Sequence, residues 1–524
     1  MIGTIVYLAR NLRAGLILAR EGALGLIDPS VLPPAARLAW RAARLIERPG
    51  AGRGADRLAA ALTRLGPSYV KFGQFLATRP DIVGVAVAAD LEHLQDRMAP
   101  FPREEAVRVI EAAFGQPVDR LFESFSEPLA AASIAQVHKG RIRTAEGPLD
   151  VAVKVVRPGV RDRFARDLRA MRAAARVIEK VLPEARRLRA QEVVETLARS
   201  VAIEMDLRLE AAAVSELAEN TKSDPGFRVP KPEWELTDRD VLTTTWIDGI
   251  RLNDVEALEA AGHDRVALAR TVIQSFLRQA IRDGFFHADM HPGNLFVDAQ
   301  GRLVAVDFGI MGRLGYKERR FLAEILYGFI RRDYRRVAEV HFAAGYVPPH
   351  HAVADFAQAI RAIGEPIHDR RADEISMARV LTLLFEVTAL FDMATRTELV
   401  MLQKTMVVVE GVARHLDPKL DMWATSEPVV REWMERQLGP AGRIESAGRG
   451  ISTLAGVLAD LPDLALRAER VLAQLETVSA HGVALNPDSV AAIGRAEARG
   501  NRWGVAALWI IAFLLAISLL SGWS

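Results

Sequence analysis

The sequence predicts an α+β chain in two lobes, with a helical extension ahead of them and an apolar helix behind. Three observations carry this. Short apolar and β-branched runs are concentrated between about Phe122 and Gly249. Apolar residues then recur at helical spacing from Val266 to about Leu438, interrupted by one hairpin. No charge interrupts Trp503 to Ser524. The 524 residues suffice for two or three domains and a sizeable core. The 68 basic and 66 acidic residues nearly cancel, and no basic run carries interleaved aromatics, so nucleic acid is not an expected partner. The absence of cysteine excludes disulfides, thiolate metal sites and cysteine nucleophiles. Any chemistry must use oxygen and nitrogen groups.

Residues 1–52 form an amphipathic N-terminal segment. Met1 to Arg20 is apolar but broken by Arg10 and Arg13, without a small-residue cleavage site, and reads either as a basic helix lying at an interface or as an ordinary surface helix. Residues 53–115 form a helical extension that follows the glycine-rich link from Gly50 to Asp56. Leu58, Leu62 and Leu65 have helical spacing up to Gly66-Pro67, and Ser68 is the expected cap of the next helix. On that helix Phe72, Phe75, Leu76 and Arg79 share one face, while Lys71, Gln74 and Thr78 share another. A third helix through Leu91, Leu94 and Gln95 stops at Pro100 and Pro102.

Residues 116–250 form the strand-rich lobe. Leu129-Ala130-Ala131-Ala132-Ser133-Ile134-Ala135-Gln136-Val137 reads as a strand, a small-residue loop and the start of a second strand. A third strand, Val151 to Val155, carries Lys154 among apolar residues, where an ammonium needs an anionic partner. Glu204, Asp206 and Glu210 are the three candidates. Val241 to Gly249 is a β-rich run closed by a turn, placed as a hinge.

Residues 251–440 form the helical lobe, and they hold the stretch with the most chemistry. It runs His287-Ala288-Asp289-Met290-His291-Pro292-Gly293-Asn294, then two apolar runs separated by Asp298-Ala299-Gln300-Gly301, then Asp307-Phe308-Gly309. The runs pair as a hairpin that brings Asn294 near Asp307. Hard oxygen donors at Asn294 and Asp307 suit Mg²⁺ on a polyphosphate, and Asp289 suits an attacking hydroxyl or water, so the fold expected is two-lobed and protein-kinase-like. Such a site places the Leu129 to Val137 loop and Lys154 on the phosphates of ATP. His287 and His291 have the spacing of a zinc helix, but Ala288 stands where that motif needs Glu, and Pro292-Gly293 makes a loop. Only Ile310 to Gly315 separates Gly309 from the next helical run, with no Ala-Pro-Glu segment to dock a peptide.

Residues 441–502 read as linker and amphipathic helix, and residues 503–523 as a transmembrane tail anchor bracketed by Trp503 and Trp523. Arg495, Arg499 and Arg502 precede the run, so the body is placed on the cytoplasmic face.

Together these residues resemble the UbiB family of atypical kinase-like proteins. The resemblance rests on Lys71-Phe72-Gly73-Gln74, Ala130 to Ser133, Val151 to Lys154, Glu204-Met205-Asp206 with Glu210-Ala211, His287 to Asn294 and Asp307 to Gly309, and it covers roughly residues 30–420. It implies a bacterial protein of ubiquinone biosynthesis that binds ATP and Mg²⁺ and whose protein-kinase activity is suppressed. It also implies that Glu210 pairs with Lys154, while Glu204 and Asp206 face Lys71. Lys71 has no acid three or four residues away on its own helix, so Lys71 and Gln74 are read as sitting over the active site and occluding a protein substrate, a solvated surface lysine being the other reading. One departure is Ala135, where the family usually has Gly. Expected partners are inner-membrane lipids and quinone precursors or the enzymes that make them, with a homodimer left open, at the cytoplasmic face of the bacterial inner membrane. An ATPase or small-molecule kinase acting around the ring-hydroxylation steps, a protein kinase and a non-catalytic scaffold all remain open; the intact Asp289, Asn294 and Asp307 argue against the scaffold. Truncation after Arg502, alone or with removal of Met1 to Arg20, is expected to shift the protein from the membrane to the soluble fraction. A full-length chain that fractionates as soluble would sink the anchor.

Overall fold

The computed structural model describes residues 2–26, 34–48, 54–77, 98–181, 189–367 and 397–438, with short pieces at 83, 87, 91, 94, 383, 386–388 and 390–393. The chain divides into a unit spanning Met1–Arg436 and a second spanning Gln437–Ser524. In the second, only Gln437 and Leu438 are described. The expected linker and the Trp503 to Trp523 anchor therefore lie outside the described residues. Among those residues no helix is long and apolar enough to cross a membrane.

The extension begins with α1 (Ile2–Arg20), α2 (Pro34–Arg44), α3 (Gly54–Leu65) and α4 (Pro67–Ala77). Helix α4 starts two residues earlier than a cap at Ser68 would place it. Gly66, at φ +101°, accepts from the backbones of Tyr69 and Val70, and Pro67 fits the first turn because its missing N–H has no helical partner to lose. Ser68 is therefore not the cap: its buried hydroxyl donates to Asp167 Oδ2 at 2.7 Å. Arg10 pairs with the same Asp167, and Asn11 donates to the carbonyl of Ala170 at 3.1 Å, so α1 is fastened to the helix that carries both. Its Leu12 and Leu16 stay exposed.

The strand-rich lobe follows α5 (Arg103–Phe114) and the short α6 (Val118–Leu121). Strands β1 (Ser124–Ala131), β2 (Ala135–Thr144) and β3 (Gly147–Val156) form successive antiparallel pairs. Then come α7 (Val160–Val181), α8 (Ala190–Glu204), α9 (Leu207–Asn220), the two-residue β4 (Phe227–Arg228) and β5 (Val241–Thr245), which completes a sheet of order β1-β2-β3-β5. Alternation on β3 decides which side chains can reach the site. Val151, Val153 and Val155 are fully buried against Ala106 and Ile110 of α5, so Ala152 and Lys154 take the other face. The α7 and α8 helices bury Phe164, Leu168, Leu197 and Val201 in a second cluster with Val156 and Leu242.

The helical lobe contains β6 (Gly249–Arg251), α10 (Val255–Ala260), α11 (Arg265–Leu277), β7 (Phe285–His287), β8 (Leu295–Asp298), β9 (Leu303–Ala305) and β10 (Met311–Arg313). Helices α12 (Tyr316–Ile330), α13 (Tyr334–Ala343), α14 (Val353–Gly364), α15 (Thr397–Leu416) and α16 (Met422–Leu438) follow. The expected hairpin is β8-β9, with Leu295 opposite Ala305. Its turn holds because Asp298 Oδ1 accepts from the backbones of Gln300 and Arg302 and Gly301 takes φ +75°. The lobe was expected to have no other strands, yet β6 pairs with β8, and β7 pairs with β10. Three-residue strands are too short to print an alternation in the sequence.

Gly73 shows how tightly the extension packs. A Cβ there would lie 2.6 Å from Leu62 Cδ1 and 2.7 Å from Leu94 Cδ2. Gly73→Ala is expected to destabilise the chain by about 1–3 kcal/mol through overpacking, read as a lower thermal-unfolding midpoint. An unchanged midpoint would show that α3 and α4 do not close on each other in this way.

Candidate active site

The site begins with one ammonium. Lys154 lies between Val137 and Leu242 in the sheet register. Its Nζ donates to Glu210 Oε1 and Oε2 at 2.7 and 2.9 Å, and to Asp307 Oδ1 at 3.2 Å. Of the three acids that the sequence offered, the structure gives Glu210 to Lys154. It comes from the buried face of α9 and also receives the Phe308 backbone N–H at 3.4 Å. Burial opposes the charge on Lys154, but the carboxylates of Asp307 and Glu210 outweigh it and raise the ammonium's pKa. The Lys154 charge holds Asp307 well below the usual carboxylate range, helped by the Gly309 N–H at 3.1 Å. Burial pushes Glu210 up, against the pull of Lys154.

The loop after β7 is held from three sides. The β7–β10 pair sets His287 opposite Met311, and the Ala288 N–H donates to the carbonyl of Ile310 at 3.1 Å. Gln279 Oε1 accepts from the His287 backbone at 3.1 Å, and Thr405 Oγ1 on α15 donates to the Ala288 carbonyl at 2.9 Å. Sequence reasoning missed Gln279 and Thr405; the signal available was a polar residue at a core position of an apolar helix. His287 Nδ1 accepts from the Asp289 backbone at 3.1 Å, and its ring lies 5.4 Å from that of Phe308. Burial lowers the His287 pKa, with Asp289 and Asp307 opposing. Phe308 is buried in the helical-lobe core, which leaves its neighbour Asp307 toward Lys154.

Asn294 ends a short turn, Pro292–Asn294. Its Nδ2 donates to the Asp289 carbonyl at 3.1 Å and to Asp289 Oδ2 at 3.3 Å, and its own carbonyl accepts from Val306 at 3.1 Å. Asn294 is thus hydrogen-bonded to Asp289 on one side and, on the other, to the backbone of Val306, the residue before Asp307. The donor set fits a metal-bound nucleotide. One ammonium faces the carboxylates of Glu210 and Asp307, which leaves negative charge for a divalent cation to balance, and Asn294 keeps its amide oxygen for a cation. Asp307 and Asn294 would hold Mg²⁺ and Lys154 a phosphate; the pair supplies charge neutralisation at the transferring group.

Within the alanine-rich loop the expected nucleotide-binding residues separate. Leu129 and Ala130 are exposed, Ala131, Ala132 and Val137 are half-buried, and Ser133, Ile134 and Ala135 are buried. Gln136 does not reach the cleft with its side chain. It is buried, accepting from the Phe101 N–H at 2.9 Å and donating to the Phe101 carbonyl at 3.2 Å. Its place on β2 is on the face covered by the segment before α5, and alternation puts Val137 on the Lys154 side instead. Arg157 Nη2 donates to the carbonyls of Ala99 and Ala132, at 3.0 and 3.1 Å, and the Met98 N–H donates to Ala131 at 3.2 Å. The loop is therefore tied to the chain ahead of it.

Lys71 is 8% exposed and forms an ion pair with Glu204 at the end of α8. Asp206 departs from its expected place. Instead of facing Lys71, it caps α9 through the Arg208 N–H and binds the Arg208 guanidinium at 2.9 and 2.7 Å. Gln74 is half-buried on α4, one turn from Lys71.

Residues 93–341 match the ABC1 atypical kinase-like domain, and residues 360–421 match the UbiB helical domain. A probable protein kinase UbiB from Marinobacter nauticus is 43% identical over 407 residues, 77% of this chain and 74% of that one. One of the same description from Aeromonas salmonicida is 40% identical over 455 residues, 86% of this chain and 83% of that one. A solved Mycobacterium tuberculosis structure, described as a complex with erythromycin, has a TM-score of 0.49 and 24% identity over 75% of this chain and 97% of that one.

Lys154→Ala strands Glu210 in the interior, and the expected loss is about 3–5 kcal/mol. Denaturant unfolding measures it. The double variant Lys154→Met with Glu210→Gln is expected to recover most of the loss. A single variant as stable as the parent would mean that Glu210 is solvated.

Proposed function

Since the chain belongs to the UbiB family of atypical kinase-like proteins, we propose that it is a membrane-tethered ATPase or small-molecule kinase that supports ubiquinone biosynthesis around the ring-hydroxylation steps. The observation that carries the ATP-dependent part is the convergence of Lys154, Glu210 and Asp307, with Asp289 and Asn294 hydrogen-bonded at the same corner. These groups bind a metal-bound polyphosphate and orient an oxygen nucleophile, which is most of what phosphoryl transfer asks of a protein.

Three features favour water or a small hydroxyl compound over a peptide as acceptor. Between Gly309 and α12 the chain makes β10 and pairs it with β7, so no extended segment is left there as a docking platform. The extension also packs Tyr69, Phe72 and Phe75 of α4 onto the cluster that contains Ile134 and Leu242, and commits Lys71 to Glu204. The Ser133 to Ala135 stretch is buried, and the loop has no glycine, so its backbone has fewer shapes available than a glycine-rich one. Tethering rests on the Trp503 to Trp523 run, and the quinone pathway rests on the family.

The test is ATP turnover by the full chain, with and without phospholipid vesicles and a phenolic lipid, alongside phosphate transfer to a peptide mixture. Hydrolysis stimulated by the vesicles or the phenol is expected, with roughly a 10²–10³-fold loss in Asp307→Asn. Peptide phosphorylation outrunning hydrolysis would replace this reading with a protein kinase, and equal turnover in parent and variant would end it.

A further inference from the structure

A cluster of metal-ligating side chains lies outside the site described above. His350 and His351 are in the loop between α13 and α14, and Asp392 is in the turn before α15. Their ligand atoms all lie within 4.8 Å of one another. We infer that His350, His351 and Asp392 bind a divalent transition-metal ion of the zinc class, and that the ion ties the loop after α13 to the turn at Asp392.

The distances favour a shared ion over hydrogen bonds. His350 Nε2 is 3.7 Å and His351 Nε2 3.4 Å from the same oxygen, Asp392 Oδ2. The first is beyond hydrogen-bond range and the second is long for a charge-assisted bond. Two ligands of a tetrahedral ion with bonds of about 2.0–2.2 Å stand roughly 3.3–3.5 Å apart. His351 Nε2 is moreover buried without a hydrogen-bond partner, an uncommon state for a ring nitrogen and one that coordination would remove.

Both sides of the cluster are braced. Asp392 holds a left-handed backbone, φ +47°, which a residue with a Cβ seldom adopts. The backbone N–H groups of its neighbours Phe391 and Met393 donate to the carbonyls of Val387 and Thr388, each at 3.0 Å. Phe391 is buried, 5.0 Å from the ring of Phe356 on α14 and 5.1 Å from that of His351. The aromatic contacts hold the His351 ring beside the turn that presents the carboxylate. Such packing fixes donor positions ahead of binding.

The ligand set selects the class of ion. Two imidazoles with one carboxylate suit zinc and its neighbours, whereas Mg²⁺ prefers oxygen donors such as those at Asp307 and Asn294. Three protein donors leave a fourth position, and the exposure of His350 and Asp392 opens it to water. The two cation sites therefore differ in chemistry and can be titrated separately.

The experiment is a cobalt(II) titration of the full chain in excess Mg²⁺, followed by zinc competition. The expected result is one equivalent of cobalt with a visible absorption band, displaced by zinc, and binding weakened roughly tenfold or more in His351→Gln and in Asp392→Asn. Zinc should also raise the thermal-unfolding midpoint of the parent and not of the variants. Asp392→Asn keeps the shape of an exposed side chain, so it reports even if His351→Gln disturbs the packing on Phe391. No cobalt band in the parent, or equal cobalt binding and equal zinc shifts in parent and Asp392→Asn, would overturn the site.

Discussion

Lys154 sits on a strand whose other inward side chains are apolar, so its ammonium must be met by carboxylates where it leaves water. It is met by two, from different parts of the chain: Glu210 on α9 and Asp307 after the β8-β9 hairpin. That requirement fixes much else. Helix α9 must turn Glu210 inward, and Phe308 must enter the helical-lobe core so that Asp307 is left facing the strand-rich lobe. A shift of either lobe would leave Glu210 buried beside an ammonium too far away to compensate it.

Helix α9 is suited to that position because its inner face serves both lobes. Leu207 and Ala211 belong to the cluster with α7 and α8, while Val214 and Leu217 belong to the core of the helical lobe. Glu210 sits among these positions on the same side of the helix. The start of α9 is set by Asp206, whose carboxylate accepts from Arg208, and one short turn earlier Glu204 holds Lys71. The extension helix α4 is thus joined to the helix that carries Glu210 at the α8–α9 corner. Lys71 acts on the position of that corner through Glu204.

Much of this was legible where a long pattern or a charged residue in an apolar setting forced a conclusion. The β1-to-β3 order, the hairpin around Gly301, the strand Val241–Thr245 and the need of Lys154 for an acid all follow from local chemistry. Which acid it takes does not, because Glu204, Asp206 and Glu210 lie within two helical turns, and only the packed face of α9 separates them. Asp206 did carry a cap signal, an Asp directly before a helical run, and its link to Lys71 overlooked it. Gln136, Ser68 and Thr405 form bonds to residues far along the chain, and nothing in their neighbours points to those partners.

The alanine-rich loop shows how composition and packing can act in the same direction. Alanine at Ala130, Ala131, Ala132 and Ala135 already narrows the backbone choices. The segment before α5 then holds the loop through Met98 to Ala131, Arg157 to Ala99 and Ala132, and Gln136 to both backbone groups of Phe101. A flexible loop has to be ordered when a polyphosphate arrives, and that ordering subtracts from binding. Here much of the ordering is built into the fold, so polyphosphate binding of the kind proposed would draw on the ammonium of Lys154 and on a metal at Asp307 with less entropy to offset. The same stiffness limits how far the loop can move to admit a bulky acceptor, which is a physical reason for preferring water or a small hydroxyl compound at Asp289.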